Sequence, residues 1–131
     1  MDRSHAREWV SGYERAWRTP GTAELGTLFA PDATYQAAPF AKPFRGLADI
    51  SAMWEAERRG PDEQFTMTSD VVAVEGDTAV IRVHVLYGPP KQQEYRDLWI
   101  VRFDDQGRCV AFEEWPFWPE GTAGSVAGAP R

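Results

Sequence analysis

The chain has 131 residues, 43% of them hydrophobic and 26% charged, with a formal net charge of -6. That length supports one domain burying roughly two-thirds of its unfolded surface and leaves no room for a second. A single cysteine, Cys109, excludes an internal disulfide framework, and the acidic balance argues against nucleic acid as a partner, because phosphate binding is built on clustered Lys and Arg. No apolar run reaches the length of about 18 residues that suggests a membrane span, and no basic-then-apolar leader opens the chain, so the expected location is cytoplasmic.

The aromatic content is unusual. Six tryptophans stand beside four tyrosines and seven phenylalanines, and each indole brings a wide ring and an N–H that needs a partner.

From Arg3 to Arg18, Trp9, Val10, Tyr13 and Trp17 form one stripe of an amphipathic helix. Pro20-Gly21 ends it. A short helix over Thr22 to Phe29 follows, with Thr22 as N-cap. After the Pro31-Asp32 turn, Ala33 to Ala37 reads as a strand, and Ala38 to Gly46, carrying Pro39 and Pro43, reads as a loop that holds Phe40 and Phe44. Leu47 to Arg59 returns to helical spacing with Leu47, Ile50, Met53 and Trp54 inward, and Gly60-Pro61 stops it. Four strand-like runs complete the chain: Gln64 to Val74, Thr78 to Tyr87, Gln93 to Phe103 and Cys109 to Trp118. Glu75-Gly76-Asp77, Gly88-Pro89-Pro90-Lys91 and Asp104-Asp105-Gln106-Gly107 separate them as hairpin turns. Helices first and a meander afterwards predict an α+β fold with helices packed on a curved antiparallel sheet. The domain is expected over residues 1–119, with residues 120–131 as a flexible tail rich in Gly and Ala.

These elements carry a resemblance. Leu28-Phe29-Ala30-Pro31-Asp32-Ala33-Thr34, the Pro/Phe loop closing on Arg45-Gly46, Ile50 in its helix and Arg102-Phe103-Asp104-Asp105-Gln106-Gly107-Arg108 together resemble the nuclear transport factor 2 superfamily, in its SnoaL-like and ketosteroid-isomerase-like branches. The resemblance implies a cone-shaped, partly mixed sheet wrapped around the N-terminal helices, a pocket inside the cone, and a homodimer. It does not imply one activity. The scaffold is reused by isomerases, cyclases, dehydratases, epoxide hydrolases and non-catalytic binding proteins. Tyr13 matches the tyrosine that stabilises an enolate in the isomerase branch. The general base expected near Ala37 or Ala38 is missing, and the acidic partner expected in the penultimate strand falls on Trp99. Alanine cannot shuttle a proton, so true ketosteroid isomerase activity is not expected.

Alternation gives an independent view of the pocket. Tyr95, Asp97, Trp99, Val101 and Phe103 share one face, and Ile81, Val83, Val85 and Tyr87 share the matching face of the preceding run, leaving Arg82 and His84 outward with Leu98 and Ile100. The last strand admits two registers. Simple pairing through the Gly107 turn sets Trp99 beside Glu113 with Trp115 inward, whereas carrying positions over from the isomerase pattern turns Phe112, Glu114 and Trp118 inward. The second is preferred, because the position matching Glu114 bears an acidic catalytic group in the epoxide-hydrolase-like branch.

Asp97 and Glu114, with Tyr13 as hydrogen-bond donor, are therefore the catalytic candidates. Two carboxyls in an aromatic cone would hold a proton tightly enough for acid/base work without a cofactor. The bland alternative pairs Asp97 with Arg96 or Arg82 at the rim and leaves Glu114 solvated. A one-residue register change would instead bring Arg82 and His84 inward toward Glu114, a triad resembling the arginine and acid pair of the epoxide-hydrolase-like branch. The other register of the last strand would turn Glu113 inward in place of Glu114. Trp17, Phe40, Phe44, Trp54, Val83, Trp99, Phe112 and Trp118 are the candidate substrate contacts, although Trp54, like Trp9, reads first as core. Cys109 reads as a small core or interface residue, and with only His5 and His84 available no zinc site is expected. The expected ligand is a small apolar or polycyclic molecule.

Overall fold

The computed structural model describes residues 1–58, 63–89 and 92–127. Helix α1 runs Arg3–Arg18, capped by Asp2, whose side chain accepts the His5 backbone N–H at 2.8 Å. Its buried stripe is Ala6, Trp9, Val10, Tyr13 and Ala16. The remaining elements are α2 (Leu25–Leu28), β1 (Phe29–Gln36), β2 (Phe44–Arg45), α3 (Gly46–Glu57), β3 (Phe65–Glu75), β4 (Thr78–Tyr87), β5 (Gln93–Phe103) and β6 (Cys109–Phe117). Among the described residues no helix is long and apolar enough to cross a membrane.

The strands form one curved sheet in the order β2-β1-β6-β5-β4-β3. It is mixed: β1 runs parallel to β6, and the other neighbours are antiparallel. The sheet stays open, with β2 and β3 at its edges, and α1 lies against its concave face. Trp9 anchors that contact. Its ring meets Phe29, Phe103, Phe112 and Trp99 at centroid distances of 5.6–6.5 Å, and its indole N–H donates to the Leu28 carbonyl at 2.9 Å, so the buried polar atom is satisfied.

Differences from the sequence reading are local. The expected helix over 22–29 shrinks to α2, because Phe29 already pairs with Cys109 of β6, and strand pairing overrides the short helical stretch. Pro31-Asp32 is not a turn before a strand. It lies inside β1, where the parallel register shifts between Phe29 and Thr34 and both residues face solvent. The Pro/Phe loop contains β2, whose Phe44 and Arg45 pair with Tyr35 and Thr34. The expected end of α3 at Arg59 with its Gly60-Pro61 stop, and the Pro90-Lys91 part of one turn, lie outside the described residues.

The β5–β6 turn shows one position where glycine is required. Gly107 has φ +80°, and a Cβ there would sit 2.6 Å from Cε1 of His5, whose Nε2 is 3.0 Å from the Gly107 carbonyl oxygen. Gly107→Ala therefore combines backbone strain with a clash against the first turn of α1. It is expected to cost about 1–3 kcal/mol, read as a lower urea midpoint; an unchanged midpoint would refute this account.

Candidate functional site

Between α1, α3 and the concave face of the sheet lies a cavity of about 600 Å³. The β5–β6 register builds its base: Trp99 lies opposite Glu114, Val101 opposite Phe112 and Asp97 opposite Pro116, so Asp97, Trp99 and Glu114 share the concave face. The isomerase-like register is thus the one adopted. Asp97 is the buried charged residue, only 6% exposed. Its Oδ1 and the Trp99 Nε1 are both buried without a hydrogen-bond partner in the protein.

Burial raises the proton affinity of both carboxyls. Glu114 is pushed well above the usual carboxylate range by desolvation first and by Asp97 second. Asp97 is raised too, again by desolvation first. The pair competes for one proton. On the α1 side, the Tyr13 and Tyr35 hydroxyls are 2.6 Å apart and buried. Burial raises both phenols, with Glu114 adding to the effect, so they are neutral donors.

Tyr13, Asp97, Glu114, Trp17 and Trp99 all line the cavity. Other expected contacts do not. Trp54, Val83 and Phe112 sit behind the wall, each below 2–3% exposure. Trp54 is wedged between Tyr13 and Trp17 at 4.9 Å from each, and Phe112 stacks on Tyr35 at 4.3 Å. Phe44 packs against the core from edge strand β2. Phe40 is fully exposed, because Gln36 ties the loop at the Pro39 and Ala41 carbonyls and leaves the ring outside. Trp118 meets Tyr95 edge-on at 6.1 Å but does not line the cavity.

The slipped-register set lies on the opposite face. His84 is 2.6 Å from Glu94, Arg82 pairs with Asp70 at 3.3 Å, and Glu113 accepts from the Trp115 indole. With Val83 opposite Asp97, none of the three can reach Glu114. The Asp97 partners considered at the rim are likewise outward: Arg96 meets Glu94. Cys109 is fully buried, and burial pushes its thiol up, which suits a core residue. Among the described residues, no cluster of three or more His, Cys, Asp or Glu is placed to hold a metal ion.

Sequence reasoning missed Tyr35 and Phe65 in the lining, while Tyr87 and Tyr95, on the faces that alternation turned inward, do line the cavity; the alternation of Ala33, Tyr35 and Ala37 was a readable signal for Tyr35. Residues 123–127, in the segment expected as a flexible tail, also line the cavity. The Gln93 side chain donates to Thr122 Oγ1 at 3.0 Å, the Ser125 N–H donates to the Tyr95 hydroxyl at 2.9 Å, and Val126 and Ala127 pack on the core. No periodicity marks such a segment.

A curved six-stranded sheet around N-terminal helices with a pocket inside is the nuclear transport factor 2-like fold. Residues 10–112 match the SnoaL-like domain family model, and the chain belongs to that family. Among solved structures, the epoxide hydrolase/cyclase-like enzyme SalBIII, described for pyran ring formation in the polyether salinomycin, superposes with TM-score 0.71 at 13% identity, covering 91% of this chain and 94% of that one. A protein with a ketosteroid isomerase-like fold from Catenulispora acidiphila DSM 44928, in complex with trimethylamine, gives 0.65 at 19% identity, covering 82% and 84%. A protein from Jannaschia sp. CCS1, assigned as a SnoaL-like polyketide cyclase, gives 0.66 at 13%, covering 84% and 85%. These likenesses are of fold. No curated protein matches the sequence.

Raised carboxyl pKa values have a signed consequence. Between the ordinary carboxylate range and the raised values the folded protein binds more protons than the unfolded one, so these two groups lower stability as pH rises through that window. Glu114→Gln removes one of the two contributions. Its stability relative to the parent is expected to improve steadily from pH 4 upward in urea titrations; a difference independent of pH would contradict the buried pair.

Proposed function

We propose that the protein carries out cofactor-independent acid/base chemistry on a small, largely apolar molecule held in the aromatic cavity. One observation carries the reading: two carboxyls competing for a proton at the base of a ring-lined cavity of about 600 Å³. In that arrangement the carboxyl that keeps the proton is the general acid and its ionised partner the general base. Tyr13, paired with Tyr35, donates to an oxygen on which negative charge develops. Cyclisation, isomerisation and hydration all need this combination of a donor, an acceptor and exclusion of bulk water. The likeness to SalBIII supports a ring-forming or epoxide-opening reaction at the level of fold.

A second reading is binding without turnover. Ala37, where an isomerase-like base would be expected, is 1% exposed and brings no functional group to the wall. The trimethylamine complex of the Catenulispora protein is in keeping with such a pocket. The readings separate in one assay, hydration of a panel of small epoxides with tryptophan fluorescence followed in parallel. The catalytic reading expects turnover that falls about 10²–10⁴-fold in both Asp97→Asn and Glu114→Gln. Turnover unchanged in both variants would end it, and quenching with no turnover would favour the binding module.

The convex face supports pairing of two copies. Leu86, Leu98, Trp115 and Phe117 are exposed there at 38–58%, among Arg82, His84, Glu94 and Arg96. Leu98 and Trp115 are cross-strand neighbours, and a mixed apolar and charged patch of this kind suits a homodimer interface. Leu98→Asp is expected to convert a dimer to a monomer in light scattering without altering the far-UV circular dichroism. A parent chain that is monomeric at all concentrations would rule the interface out.

A further inference from the structure

We infer that the cavity takes a ligand bearing a protonated or quaternary amine, its nitrogen held at the Asp97 and Glu114 end and its alkyl groups against the surrounding rings. This rests on the cavity being the working site, as proposed above, and concerns the class of molecule that enters it.

Three kinds of ligand can be compared. An anion meets Asp97 and Glu114 with nothing to compensate it, since no Lys, Arg or His stands among the described lining residues. Arg58, the nearest guanidinium to the wall tryptophans, is turned to Glu55 and to the Gly21 and Ala16 carbonyls. A purely apolar ligand would leave Asp97 Oδ1 desolvated and unpartnered, which costs more than a wet cavity does. A cation meets the charge of the carboxyl pair directly and needs no donor hydrogen if it is quaternary.

The walls suit the rest of such a ligand. Tyr87, Tyr95 and Trp99 line the cavity, and Tyr95 and Trp99 flank Asp97 on the same face of β5; the lining rings of Phe65 and Trp17 already carry the Arg18 and Arg58 guanidinium groups at 3.8 Å and 5.7 Å. Tyr87 and Tyr95 meet edge-on at 5.9 Å, presenting a ring face and an adjoining edge. Ring faces carry the negative side of the aromatic quadrupole and attract ammonium groups more strongly when water is excluded. The net charge of -6 would steer a cation toward the protein.

Choline and 3,3-dimethylbutan-1-ol have the same shape and the same hydroxyl, and differ in the positive charge. Each is titrated at pH 8 against the full chain, with quenching of tryptophan fluorescence as the readout. The inference expects choline to bind at least tenfold more tightly, Tyr95→Leu to weaken choline about threefold or more, and the preference to vanish in the Asp97→Asn/Glu114→Gln double variant, with folding checked by circular dichroism. Equal affinities would overturn the amine while leaving the cavity as a binding site. A preference that survives in the double variant would overturn it, placing the attraction at Glu57, at Glu63 or on the surface instead, and no saturation by choline would overturn it as well. The proposed acid/base function fails separately, through epoxide turnover that ignores both carboxyls.

Discussion

The pairing of β5 with β6 is the constraint on which the site depends. Trp99 opposite Glu114 places an acid, an indole and, two residues earlier, Asp97 on one face of the sheet. Side chains alternate strictly, so a slip of one residue would exchange Glu114 for Glu113 and send the acid to solvent beside Trp115. Two features hold the register. The Gly107 turn locks one end, with Asp104 accepting from the Gln106 and Arg108 backbone N–H groups at 2.9 Å each. A bulge between Arg102 and Phe103 then absorbs the extra residue that simple hairpin counting would carry into the strand.

That bulge also explains where sequence reasoning succeeded and where it stopped. Strands β4 and β5 were legible to the residue, because Thr78–Tyr87 and Gln93–Phe103 alternate cleanly and are bounded by glycine and proline. α1 was equally clear from its stripe. The register of β6 was not readable from alternation alone, since Phe112, Glu114 and Pro116 form no more apolar a set than Glu113, Trp115 and Phe117. Only the resemblance to a known fold preferred the observed choice. Aromatic candidates were harder still. A buried ring on the cavity wall and one behind it look alike in sequence, so Trp17 and Trp54 differ by depth, which is decided by how α1 and α3 cross.

The core and the site share their rings. Tyr13 touches Trp54 at 4.9 Å, Trp99 at 4.5 Å and Phe112 at 5.8 Å, so the residue that offers a hydroxyl to the cavity is clamped on its other sides by the core. Positional precision of the donor follows from packing rather than from hydrogen bonds alone. The same arrangement limits water around Asp97 and Glu114, and desolvation is the leading cause of both raised proton affinities.

Residues 123–127 line the same cavity. Gly124 has φ +40° and lies flat on the Trp118 indole, where a Cβ would fall 2.2 Å from Cδ2, so the segment can approach only because the position has no side chain. Its hold consists of a few polar contacts to Gln93 and Tyr95 and the light apolar packing of Val126 and Ala127. Such a strap is held far more weakly than the sheet, which is stabilised by a continuous ladder and a shared core. The sheet therefore sets where the carboxyls stand, while residues 123–127 add a separate stretch of lining to the same cavity.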